Sequence, residues 1–561
     1  MPSTRPEKRA VVTSAEPIPA DELMARIEAD RGRRWLRRIY GEEKDLLKDR
    51  RRAILRVLRA FIRGYGNGRP VILVRSPSRI NVKGVHAEHR RGEVNYVAHR
   101  REILMVAEPR SDDAVVMNNV SPSFPERIFT IANELKRSRH KDWLSYIESP
   151  GVSRVVRERR GDWVNYVKSA VLRLQFRYPR IKLRGMNLMV DGDIPQGAGL
   201  SSSSAVVVSS ALAATYINNL RLTAGELVEL CGEGEWYVGT RGGAGDHAAM
   251  ILGRRGYIAH LRFFPFELLE YVPLPKTHSI VICNSLRQAK KSAGELSAYN
   301  ATIAAYGTVL MLMKDILAKY FGFKRSWLNR RIKHLGDFNL DKKQFPDALL
   351  YQVLKQMPQR ITRRQLLERL PQERDRLRRI FRTHDEPAEG YRARAVAMFG
   401  LSEIARGAAC VKPLKQKDYK LFGRLMYVSH DGDRIVRHVD GKTISWDNEM
   451  TQVTDAYLDR LIESSQGRRQ PPDAQIMMQP GGYRCSSEEL DHLVDIAAGV
   501  RGVAGAGLTG AGFGGCVLAL VKNSAVKTLL SAARRQYYTA RGLPFGAEVC
   551  VSVAGACAVE I

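Results

Sequence analysis

The sequence predicts an α+β protein of at least two domains, and three observations carry that prediction. The chain has 561 residues, more than one hydrophobic core usually serves. Strand-like runs and Ala-rich helical runs follow one another without a fixed repeat period. A Pro-marked join, "YVPLPKTHSIVICNS" (271–285), separates a first block of elements from a second. The expected domains are an N-terminal extension over 1–65, a first domain over 66–270 and a second over 271–561, the last carrying an insertion at 320–358.

Each element is read from its local pattern. Residues 1–30 mix Pro, Ala and charges with weak periodicity, and their first half is expected to be mobile. Residues 31–63 hold 13 Lys/Arg against 4 Asp/Glu. Leu47, Ile54, Leu58 and Phe61 recur there at helical spacing, so a basic amphipathic helix with one docked face is expected. "GYGNGRP" (64–70) is a turn cluster. "VILVRSPSRINVKG" (71–84) predicts strand, turn, strand. "IKLRGMNLMVDGDI" (181–194) alternates like a half-buried strand. "AVVVSSALAATYI" (205–217) predicts a buried helix. "TAGELVELCGEGEWYVG" (223–239) predicts another, with Thr223 at its N-cap and Glu226 three residues on. Beyond the join, 296–320, 359–382, 390–430 and 486–500 predict helices, and the polar stretch between the first two predicts irregular chain. "GAEVCVSVAGACAVEI" (546–561) closes the chain as a strand.

Composition narrows the function classes. Apolar residues make up 44% and charged residues 27%, as in globular proteins. No window approaches 18 uninterrupted apolar residues, and the N-terminus lacks the apolar core of a secretory signal. No membrane partner is therefore expected. Seven cysteines without a CxxC pair predict reduced thiols and a cytoplasmic location. The balance of 90 basic to 59 acidic residues gives +31. A nucleic-acid-binding protein is one reading of that excess. An anion-attracting surface is the favoured one, because no aromatic-interleaved basic platform accompanies the charge.

"PQGAGLSSSSA" (195–205) lies between a predicted strand and a predicted helix. That arrangement points free N–H groups and the positive end of a helix dipole at one spot, which favours an anion. Gly197 and Gly199 let the backbone approach a ligand. The serines cap the helix and can reach phosphate or a metal. No lysine follows, so this is not the GxxxxGK[ST] loop. Composition alone leaves open a plain strand–helix joint with capping serines.

Three stretches, in order, resemble the motifs of the GHMP kinase superfamily, most closely its galactokinase branch. "SPSRINVKGVHAEHRRG" (76–92) resembles the first, "PQGAGLSSSSA" the second and "GLTGAGFGGCVLALV" (507–521) the third. "RGGAGDHAAMILGRRGYIAHL" (241–261), "ELSAYN" (295–300) and "YRCSSEELDHLVDIA" (483–497) resemble flanking segments. The resemblance implies two lobes, an N-terminal ribosomal-S5-domain-2-like lobe and a C-terminal ferredoxin-like lobe, with the nucleotide in the cleft between them. It implies a kinase that uses ATP and Mg²⁺ to phosphorylate the anomeric hydroxyl of a galactose-like sugar. Its partners would be a small-molecule sugar and ATP. The rival within the same fold is a sugar- and ATP-binding regulator that no longer transfers phosphate.

Residue by residue, the resemblance implies that Gly197, Ala198, Gly199, Leu200, Ser201, Ser202 and Ser203 cradle the phosphates, with Gly510 and Gly512 supporting the nucleotide cleft. Asp246 would orient or deprotonate the sugar hydroxyl; an aspartate at that place is also a good N-cap. Arg79 would lie near the transferring phosphoryl and lower the Asp246 pKa. Ser203 would bind magnesium with Glu235, although Glu233 is close enough in sequence to compete. His86, Glu88 and Tyr299 would contact the sugar. Where the family's first motif reads E-H-T-D, this chain reads Val85, His86, Ala87, Glu88. The family's first acid faces the sugar's C6 hydroxyl, so Val85 predicts a substrate without that group: L-arabinose or a 6-deoxy sugar. A shifted loop, with Glu88 or Glu93 recovering the contact, would keep galactose.

Overall fold

Strand alternation builds a sheet whose two faces carry different jobs. The computed structural model describes residues 16–239, 242–287, 293–382, 384–467 and 470–560. Its larger sheet has nine strands. The central pair is the long antiparallel couple Pro70–Lys83 and Glu93–Pro109. Met186–Gly192, Ala114–Asn119 and Arg127–Thr130 extend it to one side, and the Ala114–Asn119 to Met186–Gly192 pairing is parallel. Tyr257–Arg262 and Glu267–Pro273 extend its far end. Within Pro70–Lys83, Ile72 and Val74 face one hydrophobic cluster while Val71 and Leu73 face another, the period-2 signature of a strand. The first cluster includes the helices Val164–Arg177 and Ser202–Ile217; the second is filled by the N-terminal helices.

The expected strand–turn–strand over 71–84 is one strand. The chain absorbs the "SPS" segment as a register shift between Pro77 and Ser78, a bulge rather than a reversal. The basic N-terminal segment is two helices, Asp30–Tyr40 and Lys44–Tyr65, preceded by Ala20–Glu28. Gly41, at φ 92, makes the break. Ile54, Leu58 and Phe61 are fully buried, so one face docks on the sheet. The expectation of mobility before residue 16 lies outside the described residues.

A second, four-stranded antiparallel sheet is ordered Val503–Thr509, Cys516–Lys522, His278–Asn284, Ala547–Val549. The chain's end is not one strand. Ala547–Val549 closes this sheet, and Cys557–Ala558 crosses back to pair with Pro70–Lys83. The stretch expected to be irregular at 320–358 contains the helices Arg325–Arg331, Asp337–Leu340 and Asp347–Gln356. Leu350, Tyr351, Val353 and Leu354 are buried in the main core, so its low apolar content reflects exposed helix faces rather than loop. The 359–382 segment breaks at Leu370–Pro371 into the helices Arg363–Arg369 and Arg374–Phe381, because proline cannot donate into a continuing helix. One described helix segment, Asn300–Tyr320, is long and apolar enough to cross a membrane. Val309, Leu312, Met313, Ile316 and Leu317 from it are fully buried among other helices.

Candidate active site

The strand Met186–Gly192 feeds the loop 193–201, and the helix Ser202–Ile217 starts at its end. Ser201 sits in the left-handed region at φ 59. Its hydroxyl donates to Asp246 Oδ2 instead of capping the helix. The first N–H groups of this helix therefore have no side-chain cap and, at the helix start, no intrahelical partner. The third motif backs this loop: a Cβ on Gly510 would stand 3.0 Å from the Gly199 carbonyl oxygen. Motifs two and three thus meet backbone to backbone, and a side chain at 510 would wedge them apart.

Asp246 lies in the short helix Gly245–Ile251, one residue past its start. It does not cap that helix. Arg79 grips the carboxylate in a fork, with Nε 2.5 Å from Oδ1 and Nη2 2.6 Å from Oδ2. The third arm, Nη1, donates to the Gly199 carbonyl at 2.6 Å. One guanidinium therefore links the first motif, the phosphate loop and the candidate catalytic carboxylate. Burial pushes the Asp246 pKa up, but the Arg79 guanidinium and the Ser201 hydroxyl outweigh it and hold the carboxyl below its ordinary value. Asp246 is ionised at neutral pH.

Glu88 approaches the same point from the first motif. Tyr96 donates its hydroxyl to Glu88 Oε2 at 2.5 Å. A Cβ on Gly245 would stand 2.5 Å from the Tyr96 hydroxyl and 2.6 Å from Glu88 Oε2, so that glycine is what lets the two carboxylates share the pocket. Burial and the charge of Asp246 push the Glu88 pKa up to about 7. The sign follows: a folded pKa raised above 4.5 favours the fold below that value, and the advantage is lost as pH rises from about 4.5 to about 7. Glu88→Gln is expected to flatten this part of the pH dependence of the melting temperature. An unchanged decline in the variant would show that Glu88 is not the group responsible.

The expected metal pair is close but shifted. Glu235 Oε2 accepts from Ser204 Oγ at 2.8 Å and lies 2.9 Å from His247 Nε2. Burial raises the Glu235 pKa, and His247 and Ser204 bring it below the ordinary value. Glu233 points elsewhere, paired with Arg173 at 2.6 Å. A half-buried ionised carboxylate beside a serine hydroxyl at a helix start is the kind of hard oxygen donor that Mg²⁺ takes. Glu235, held by Ser204, therefore offers an oxygen donor that fits the ion, and Ser203 is the neighbouring residue in the same first helical turn.

His86, at φ 61, is half-buried and turned towards Tyr483, 4.7 Å between ring centres. Val85 is buried, and its N–H donates to Glu403 Oε1 at 3.1 Å. Glu93 is held by His260 at 3.0 Å and lies 3.6 Å from Arg262. Tyr299 falls in the helix Ala293–Tyr320, and its side chain lies outside the described residues. Sequence reasoning missed Tyr96, Ser204, Gly245 and Glu403. The doubled glycines of "RGGAGDH" were the available signal for Gly245; nothing in the sequence marked Glu403, which comes from a distant helix.

Residues 165–254 match the GHMP kinases N terminal domain, and residues 456–539 match the GHMP kinases C terminal domain. The first match contains the phosphate loop and Asp246; the second contains Gly510 and Gly512. The galactokinase of Dictyostelium discoideum is 26% identical over 490 residues, covering 85% of this chain and 86% of that protein. The galactokinase of Schizosaccharomyces pombe is 26% identical over 543 residues, covering 92% and 96%. The crystal structure of Lactococcus lactis galactokinase complexed with galactose shares the fold at a TM-score of 0.59 and 22% identity, covering 90% of this chain and 98% of that one. The chain thus carries, in order, the N- and C-terminal domains of the GHMP kinases and is similar over most of its length to galactokinases.

Proposed function

We propose that the protein transfers the γ-phosphoryl group of ATP to the anomeric hydroxyl of a galactose-like sugar, giving the sugar 1-phosphate. The observation that carries this reading is Arg79 joining Asp246 to the phosphate-loop carbonyl of Gly199. It sets the acceptor-holding carboxylate against the place where the loop would present a phosphate tail. The loop N–H groups and helix start bind the triphosphate. Asp246 accepts a hydrogen bond from the sugar hydroxyl and aims its oxygen at the terminal phosphorus. With its pKa held down, Asp246 is a weak base. That suits a loose transition state, in which the proton leaves late. Arg79 offsets charge growing on the transferring group. Bound at Ser203 and Glu235, Mg²⁺ would neutralise charge on the β- and γ-oxygens.

Phosphorus NMR of ATP incubated with galactose tests the reading. Sugar-dependent loss of ATP with a new anomeric phosphate signal is expected. ATP binding without sugar-dependent turnover would instead describe a regulator.

The sugar itself is set at Val85. Galactose is a natural candidate, since relatives over most of the chain are named galactokinases. Yet Val85 offers no acceptor or donor side chain, Glu93 is held by His260, and Glu88 is held by Tyr96. Glu88 and Glu93 thus already carry partners, and a C6 hydroxyl facing Val85 would lack one; an unpaired buried hydroxyl costs about 1–3 kcal/mol. L-arabinose or a 6-deoxy sugar is therefore expected to match or exceed galactose in kcat/KM. Val85→Glu is expected to shift the ratio towards galactose by about tenfold or more. Steady-state kinetics on galactose, arabinose and fucose decide. A wide preference for galactose in the unaltered protein would sink the Val85 argument.

A further inference from the structure

Three residues from distant parts of the chain converge beside the first motif. His86 comes from the loop after Pro70–Lys83. Asp433 is the last residue of the helix Tyr419–Asp433. Cys485 lies just before Ser487, the N-cap of the helix Glu488–Ala498. His86 Nε2 stands 3.1 Å from Cys485 Sγ, and Cys485 Sγ stands 3.0 Å from Asp433 Oδ1. One nitrogen, one sulfur and one carboxylate oxygen thus lie within 4.8 Å of one another. Two backbone conformations rare for non-glycine residues present them: His86 at φ 61 and Arg484 at φ 58. Such strain persists only where surrounding structure enforces it.

The geometry points to a binding site for a borderline-soft divalent cation of the Zn²⁺ class, held by His86 Nε2, Cys485 Sγ and Asp433. Ligands at about 2.0–2.3 Å around a tetrahedral ion sit about 3.5 Å from one another, and the two spacings at Cys485 Sγ, 3.1 Å and 3.0 Å, lie within about half an ångström of that. Imidazole with thiolate selects Zn²⁺ or Co²⁺ over Mg²⁺. Thiolate and carboxylate together neutralise a divalent charge.

The alternative is a plain hydrogen-bonded chain, and it leaves one atom unexplained. Asp433 is 1% exposed, and its Oδ2 has no hydrogen-bond partner among the described residues. A buried carboxylate oxygen without a partner is costly; metal coordination removes that cost. Lys83 and Arg406, the nearby cations, are both engaged with Glu403, at 3.5 Å and 2.7 Å. Three protein ligands leave a fourth position for water or a sugar oxygen, as in zinc sites that keep an open position. Metal binding does not depend on which sugar is phosphorylated, or on whether any is.

The test is Co²⁺ titration of chelator-stripped protein in excess Mg²⁺, which occupies hard oxygen sites and is spectroscopically silent. One equivalent of Co²⁺ is expected to give thiolate-to-cobalt absorption in the near ultraviolet and intense tetrahedral bands in the visible, both abolished by one equivalent of Zn²⁺. Cys485→Ser is expected to remove the near-ultraviolet band. Asp433→Asn is expected to weaken Zn²⁺ binding by about 100-fold, the upper end of what loss of a supporting group costs. Absence of the thiolate band in the unaltered, folded protein overturns the inference without any variant. Persistence of the band in Cys485→Ser or in Cys485→Ala overturns it as well, since another cysteine would then be the ligand.

Discussion

Asp246→Asn is expected to lower kcat by about a thousandfold while leaving ATP affinity within about threefold. The geometry gives the reason. Both carboxylate oxygens are already gripped, Oδ1 by Arg79 Nε and Oδ2 by Arg79 Nη2 and Ser201. An asparagine keeps the shape but turns one oxygen into an N–H₂ group that faces a guanidinium donor. The fork cannot be satisfied, and Arg79 is free to swing from the Gly199 carbonyl. The acceptor for the sugar hydroxyl and the link to the phosphate loop are then lost together. The phosphate loop's own N–H groups are untouched, so nucleotide binding survives. Steady-state kinetics with calorimetric ATP titration separate the two effects. Parallel loss of ATP binding and melting temperature would mean that Asp246 only holds the fold, and equal kcat in the variant would remove it from the mechanism.

Much of this site was legible because motif chemistry is local. A strand, a glycine-bearing loop and a serine-started helix are a contiguous pattern, and the pattern forms as written at 186–217. The Thr223–Glu226 capping box is equally local and is present with both of its bonds. Asp246 is far in sequence from Arg79 and Glu88, and the three became a constellation only through resemblance; the structure joins Arg79 to Asp246 directly and brings Glu88 in beside Gly245. What stayed hidden is what long-range packing decides. Tyr96 and Glu403 carry no local signature, and their partners are found only by strand register and by a helix from the other lobe. The "SPS" segment misled for a related reason. Pro and Ser favour turns, but the neighbouring strand absorbs the break by leaving Arg100 and Arg101 out of the pairing, so tertiary pairing overrides the local preference. The exposed polar faces at 325–356 were mistaken for loop because helices with few buried positions carry a weak periodic signal.

Glu102→Ala is expected to destabilise the protein by about 3–5 kcal/mol, the cost of leaving a buried cation without its partner. The N-terminal segment was expected to dock by one face, and its contacts run to the centre of the sheet. Glu102 is 1% exposed in the strand Glu93–Pro109. It accepts from Arg75 Nε at 2.7 Å and from the Tyr40 hydroxyl at 2.7 Å, and Arg50 Nη1 stands 3.5 Å away. Arg75 is fully buried, and its Nη1 donates to the carbonyls of Ala554 and Gly555. One carboxylate therefore ties two N-terminal helices, the central strands and the returning C-terminal segment to a single point. A surface ion pair would be worth about 0–1 kcal/mol, so the magnitude distinguishes the two cases. Because two lobes need not unfold together, the sharper readout is limited proteolysis. Cleavage between 16 and 65 is expected to quicken in Glu102→Ala before the rest of the chain is cut, and Glu102→Gln, which keeps an acceptor for Tyr40, is expected to recover part of the loss. A variant as stable and as protease-resistant as the unaltered chain would show that apolar packing of Ile54, Leu58 and Phe61 alone holds these helices, and the strand Pro70–Lys83, which carries Arg79 into the site, would then owe nothing to the clamp at its other end.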